Sequence, residues 1–181
     1  MNMLGETCLG LEEMEKALDY FENGLDLAQR TKGGHPLETE LTKKLSELAV
    51  KSGDMSKALV YLENGLRSAR ENKDVQGEGR LLMQLGSTHQ ENNKNDQAAI
   101  YFEDALELSK KIGNRELEGE VLWKICIGLG NQEKIIEASE RANEVLKIYE
   151  EIKHPDSMTV RTQIRKWGET SNMADNENSP D

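Results

Sequence analysis

Four stretches decide how this chain is read: Ala17-Leu-Asp-Tyr20-Phe-Glu-Asn-Gly-Leu25, Ala58-Leu-Val-Tyr61-Leu-Glu-Asn-Gly-Leu66, Ala98-Ala-Ile-Tyr101-Phe-Glu-Asp-Ala-Leu106 and Ala138-Ser-Glu-Arg141-Ala-Asn-Glu-Val-Leu146. Their leading alanines are spaced 41, 40 and 40 residues apart. A fixed period of this length marks an array of stacked repeats. Such arrays present a surface to partners more often than they carry out a reaction.

Outside these stretches the pattern is also helical. Leu41, Leu45, Leu48 and Ala49 form one stripe, Leu81, Leu82 and Leu85 a second, and Val121, Leu122, Ile125 and Leu129 a third. Each precedes one of the quoted stretches and is separated from it by a polar turn: Gly53-Asp54, Asn92 to Asp96, or Gly130-Asn131. The polar connectors between units place Asp74 and Asn114 as N-caps, forty residues apart. Paired glycines at Gly33 and Gly34 end one helix, and Pro36 opens the next. With three prolines in 181 residues, helix is favoured throughout.

The composition narrows the function. The net charge of −11 gives no attraction to nucleic acid or to an anionic membrane. Arg161, Arg165 and Lys166 form the one basic cluster and read as ordinary cations at a helix end. No apolar run reaches the roughly 18–20 residues that span a bilayer. Two cysteines, Cys8 and Cys126, lack metal-ligand spacing and read as reduced, buried thiols. These features point to a cytoplasmic location, with a cytoskeletal or ciliary one as a variant.

The helical units resemble the tetratricopeptide repeat. Leu4-Gly5-x-x-Cys8, Leu45-Ser46-x-x-Ala49, Leu85-Gly86-x-x-His89 and Ile125-Cys126-x-x-Leu129 stand where that family has Leu-Gly-x-x-Tyr, each thirteen residues before the alanine of its own unit. Small residues at Gly5, Ser46, Gly86 and Cys126, and at the four alanines, would let paired helices approach closely. Phe21, Leu62 and Phe102 would fill the space between units, and Ala142 departs from that aromatic pattern. The period of about 40 is similar to the long-repeat type of the Pins/LGN scaffolds and kinesin light chain.

The resemblance implies an all-α fold: a right-handed superhelical solenoid of antiparallel helix pairs, about four units over residues 1–154, divided near 1–34, 35–73, 74–113 and 114–154. A capping helix over 155–168, with Met158, Ile164 and Trp167 as its apolar residues, and a disordered acidic tail over 169–181 complete the chain. The first unit begins one to two turns later than the others, the pattern expected of a fragment, a short isoform or a truncation at an internal Met, with Met3 and Leu4 then facing further repeats.

In this family the first helix of each pair lines a concave groove. That implies partner contact by Asn2 and Glu6, by Glu40, Lys43, Lys44 and Glu47, by Arg80, Met83, Gln84 and Ser87, and by Glu120, Trp123, Lys124 and Ile127. Trp123 has a competing reading, packing beside Trp167. The expected function is a non-catalytic adaptor whose groove takes an extended or helical peptide of a partner protein. The alternative is a structural subunit of a larger cytoskeletal or ciliary assembly. The carboxylate clamp of chaperone-type repeats is missing, because Glu47 follows Lys43 and Gln84 follows Arg80. Catalysis has little support. His35 and His154 lie in connectors before prolines, His89 is on the packing stripe, and Gly77-Glu-Gly79 opens no phosphate loop. No cofactor and no metal are expected.

Overall fold

The computed structural model describes residues 14–31 and 35–177. The expected first helix of the first unit, with Asn2 and Glu6, lies outside them. Among the described residues there are eight helices and no strand: α1 (Met14–Arg30), α2 (His35–Lys51), α3 (Met55–Glu71), α4 (Val75–Glu91), α5 (Asn95–Lys111), α6 (Arg115–Asn131), α7 (Ile135–Glu151) and α8 (Ser157–Glu177). From α2 to α7 every helix has 17 residues. A new helix begins every twenty residues, so the forty-residue sequence period is two equal halves.

The turns explain this regularity. Residues 53, 73, 93, 113, 133 and 153 all have positive φ, from 56° to 81°. Each follows a helix and closes it with the same pair of backbone bonds. Gly53 N–H donates to Val50 and Asp54 N–H to Ala49, at 2.9 Å each, and His154 N–H donates to Tyr149 at 2.7 Å. This is the Schellman pattern, which satisfies the orphan carbonyls at a helix end. At Asp54, Asp74 and Asn114 the residue that closes one helix also caps the next, accepting from the N–H of Lys57, Gly77 and Leu117. One residue thus serves two helix ends, and three residues suffice for each connection. The expected caps at Asp74 and Asn114 are both present.

The chain divides into two compact units, residues 1–101 and 102–181. In the first, α2 packs against α1, α3 and α4, and α3 packs against α4. Ala17, Phe21, Ala28, Leu41, Leu45 and Leu48 form its buried centre. Phe21 fills the space between α1 and α2, as its spacing suggests, and each such side chain contributes about 1.5–3 kcal/mol of apolar burial. Small residues do set the helix spacing. A Cβ on Gly65 of α3 would lie 2.7 Å from the Thr42 methyl on α2. A polar staple joins α1 to α3: the Tyr61 hydroxyl donates to Glu22, which also pairs with Lys57 at 3.3 Å. That hydrogen bond holds the Glu22 carboxyl below the ordinary range.

In the second unit, α7 packs against α6 and α8. Leu122, Cys126, Ala138, Ala142, Val145, Ile148, Tyr149, Val160 and Trp167 form the core. Ala142 is fully buried, and the aromatic volume comes instead from Tyr149 and Trp167. Gly119 makes room for the Tyr149 ring, which would lie 2.5 Å from an added Cβ.

Three expectations for α8 are corrected. The helix continues to Glu177 rather than ending near residue 168, so residues 169–177 are helical where a disordered tail was expected. No proline intervenes before Pro180, and an established helix extends at low cost per residue. Met158 is 65% exposed and Val160 fully buried, because the inward stripe is Val160, Ile164 and Trp167. Arg161, Arg165 and Lys166 stand in the body of the helix, not at its end, and Arg161 pairs with Glu150 while Arg165 faces Glu169 at 4.0 Å.

A buried charge also recurs with the repeat. Glu38, Glu78 and Glu118 are forty residues apart, and Glu38 and Glu118 are each 5% exposed. Gln29 donates to Glu38 at 3.3 Å, Arg70 to Glu78 at 2.7 Å and Arg115 to Glu118 at 2.6 Å. Arg115 also reaches Glu151 at 2.9 Å, tying α6 to α7.

Three consequences can be measured. Glu133 has a φ of 62°, a conformation that costs L-residues but not glycine. Glu133→Gly is expected to stabilise by about 0.5–1 kcal/mol and raise the thermal midpoint by roughly 2–4 °C. Gly119→Ala gains helix propensity but drives a methyl into the buried Tyr149 ring. A net loss of about 1–2 kcal/mol is expected by chemical denaturation. His89 is 8% exposed, stacks on Tyr101 at 5.2 Å and leaves its Nδ1 without a hydrogen-bond partner. Burial first, then nearby Lys94, lower its pKa below 6.5, against an opposing pull from Glu63. The neutral ring is therefore the stable form: its contribution is complete above pH 6.5 and is lost as pH falls through the lower folded value. Denaturation midpoints measured from pH 7.5 to 5 should fall more steeply for the native chain than for His89→Gln.

Candidate interaction surface

The first helices of the pairs bury their leucine stripes and turn another face outward. The expected contact residues divide by compact unit. In the first unit, α2 carries Glu40, Lys43, Lys44 and Glu47. Lys43 lies 3.9 Å from Glu47, and Lys44 lies 3.9 Å from Glu40. Both are i,i+4 pairs on one helix, worth a few tenths of a kcal/mol each. Two cations and two anions pair there, so these four residues have no net charge to steer a ligand of one sign.

On α4, Arg80 is exposed, while Met83 and Gln84 are half-buried. Ser87 departs from its expected place. It is only 6% exposed, and its hydroxyl donates to the Met83 carbonyl at 3.1 Å. The leucines beside it draw that turn of α4 into the core, so Ser87 offers little to a partner. Among the described residues, Lys43, the lysine in a suitable place for a clamp, faces Glu47 on the next turn.

The second unit differs in character. Lys124 is exposed, but Trp123 and Ile127 are half-buried and pack against the core. The Trp123 ring lies 6.2 Å from that of Trp167, tilted by 45°. Trp167 lies over Gly130, where an added Cβ would come within 2.8 Å of the ring. The packing role of Trp123 is therefore real, and its half-exposed edge is what remains for a ligand. Trp123, Ile127, Ile164 and Trp167 make an apolar, partly open strip on α6 and α8.

Nothing among the described groups resembles an activated nucleophile. Cys126 is fully buried, and desolvation pushes its thiol up to about 12, far from a reactive thiolate. His89 is in the core, and the ring of His154 stacks on Tyr149 at 4.1 Å. No helix among the described residues is long and apolar enough to cross a membrane.

The Glu38, Glu78 and Glu118 series, and the joining of α6 to α7 by Arg115, were not foreseen from the sequence. The forty-residue spacing of the three glutamates was the available signal.

No curated protein matches the chain. Among solved structures, BtubC from P. vanneervenii aligns with a TM-score of 0.76 at 17% identity, over 93% of this chain and 70% of that one. RapI aligns at 0.73 and 16%, over 93% of this chain but 47% of its own. Nearly identical tetratricopeptide-like repeats of a kinesin light chain from Podosopora anserina align at 0.68 and 14%, over 95% and 85%. At such identities the likeness shows the fold alone, an all-α superhelical repeat of helix pairs. Family models describing the tetratricopeptide repeat match residues 1–71 and residues 79–112, together more than half of the sequence. Both models are of the same repeat, and the chain belongs to the tetratricopeptide repeat family.

Proposed function

We propose that this chain is a non-catalytic adaptor, working in the cytoplasm, whose first helices bind an extended or helical peptide of a partner protein. The family is a protein-interaction scaffold in general, which supports the class of activity. The observation that carries the finer reading is the contrast along the first helices. In the first unit they offer charges of both signs, with Lys43, Lys44, Glu47, Arg80 and Gln84 around Met83. In the second they offer the apolar edge of Trp123 and Ile127, with Lys124 beside it.

A ligand of the first unit's helices would carry charges of both signs, and a ligand of the second unit's would carry an aromatic or aliphatic anchor. Apolar anchors in well-packed surroundings supply most of the energy in such contacts, and rim charges chiefly set rate and selectivity. Nucleic acid, a lipid surface and a chaperone C-terminal carboxylate are not the ligands proposed.

The test begins with affinity capture by the full chain and identification of a bound peptide, followed by fluorescence anisotropy on that peptide. Lys43→Glu combined with Arg80→Glu changes exposed groups only and should preserve the circular dichroism spectrum. Affinity should fall by at least tenfold. Ile127→Ser should weaken binding further. Equal affinity in folded forms of both variants would show that the peptide binds elsewhere.

A further inference from the structure

Glu116 and Glu120 stand one turn apart on α6, and His154 follows the end of α7. One carboxylate oxygen from each glutamate and a ring nitrogen of His154 all lie within 4.8 Å of one another. The histidine comes more than thirty residues after the glutamates, so only the pairing of α6 with α7 brings them together.

The histidine is held firmly. Its backbone N–H closes the turn onto Tyr149 at 2.7 Å, its ring stacks on Tyr149 at 4.1 Å, and its side chain is 12% exposed. Nδ1 accepts the Asp156 N–H at 3.2 Å and lies 4.0 Å from the Asp156 carboxylate. Nε2 is left as the nitrogen that can ligate a cation. Ligation there requires the tautomer with its proton on Nδ1, which gives up the Asp156 N–H bond and turns to the Asp156 carboxylate, 4.0 Å away. A carboxylate behind the distal nitrogen is the usual outer-shell support of a metal-bound histidine. The nearest arginine on α6, Arg115, is engaged with Glu118 and Glu151.

We propose that Glu116, Glu120 and His154 form a binding site for one divalent cation of the zinc class, tying α6 to the connector between α7 and α8. Two carboxylates and one imidazole suit zinc, whereas calcium and magnesium take oxygen shells. Bonds of about 2.0–2.2 Å require ligand atoms roughly 3.3 Å apart. The present spread closes by rotation of the glutamate side chains, of which Glu116 is exposed. Three protein ligands leave a fourth position open to water or to a side chain of a partner. The site shares Glu120 with the expected groove face but does not rest on the peptide-binding reading, and either can fail without the other.

The metal-free full chain is titrated with zinc chloride by isothermal calorimetry, with thermal unfolding followed in parallel. The expected result is one equivalent bound with micromolar affinity. The thermal midpoint should rise by roughly 5–10 °C at a hundredfold excess over Kd, and magnesium chloride should produce neither effect. Glu120→Gln and His154→Phe should each weaken zinc at least tenfold. The phenyl ring keeps the stack on Tyr149, and Glu116→Gln, an exposed change, decides the matter if His154→Phe does not fold. No zinc uptake below millimolar, or uptake unchanged in folded Glu116→Gln and Glu120→Gln, overturns the proposal.

Discussion

The constraint on which the rest depends is the three-residue turn between successive helices from α2 to α7. A 17-residue helix advances about 25 Å, and its last carbonyls must find donors within a connection too short to supply a strand or a loop. The left-handed residue at positions 53, 73, 93, 113, 133 and 153 solves this by folding two N–H groups back onto the helix just finished. The next helix then starts in a fixed direction. Because the turns from α2 to α7 are alike, the leucine stripes within each unit start in the same register. Regularity in the backbone thus precedes regularity in the core.

That ordering explains what could be read from the sequence. The forty-residue period was legible because Ala58, Ala98 and Ala138 repeat as residue types and are all buried. The twenty-residue period was not, because the positive-φ position is glycine at Gly53 and Gly113 but Lys73, Asn93, Glu133 and Lys153 elsewhere. The turn dictates a conformation, and packing elsewhere tolerates residues that adopt it at some cost. For α8 the pattern failed in a different way. Its polar residues said "end of the array", but a helix ends where something breaks it. Between Gly168 and Glu177 nothing does.

The surface was legible to a lesser extent for a related reason. A first-helix position is open to a partner only if no neighbour covers it, and neighbours come from distant sequence. Spacing put Ser87 outside the core, yet its hydroxyl is satisfied by Met83 and the side chain is buried. Spacing gave Trp123 two roles, and only the position of Trp167 shows how the ring is divided between them. Lys43 is exposed and Lys44 half-buried, but that each has a glutamate one turn away changes their meaning. They are parts of a balanced patch rather than free cations.

The inward alanines and leucines therefore serve any tetratricopeptide array alike, and selectivity must come from residues the repeat does not specify. In the first unit those are flexible and charged, and binding through them would cost side-chain entropy and depend on salt. In the second they are rigid: Trp123 is already held by Trp167, and Ile127 rests on the core, so little freedom is left to lose on contact. The outward-facing residues of the two units therefore differ in rigidity. The difference follows from packing, because the Trp167 ring that lies beside Trp123 also holds it in place.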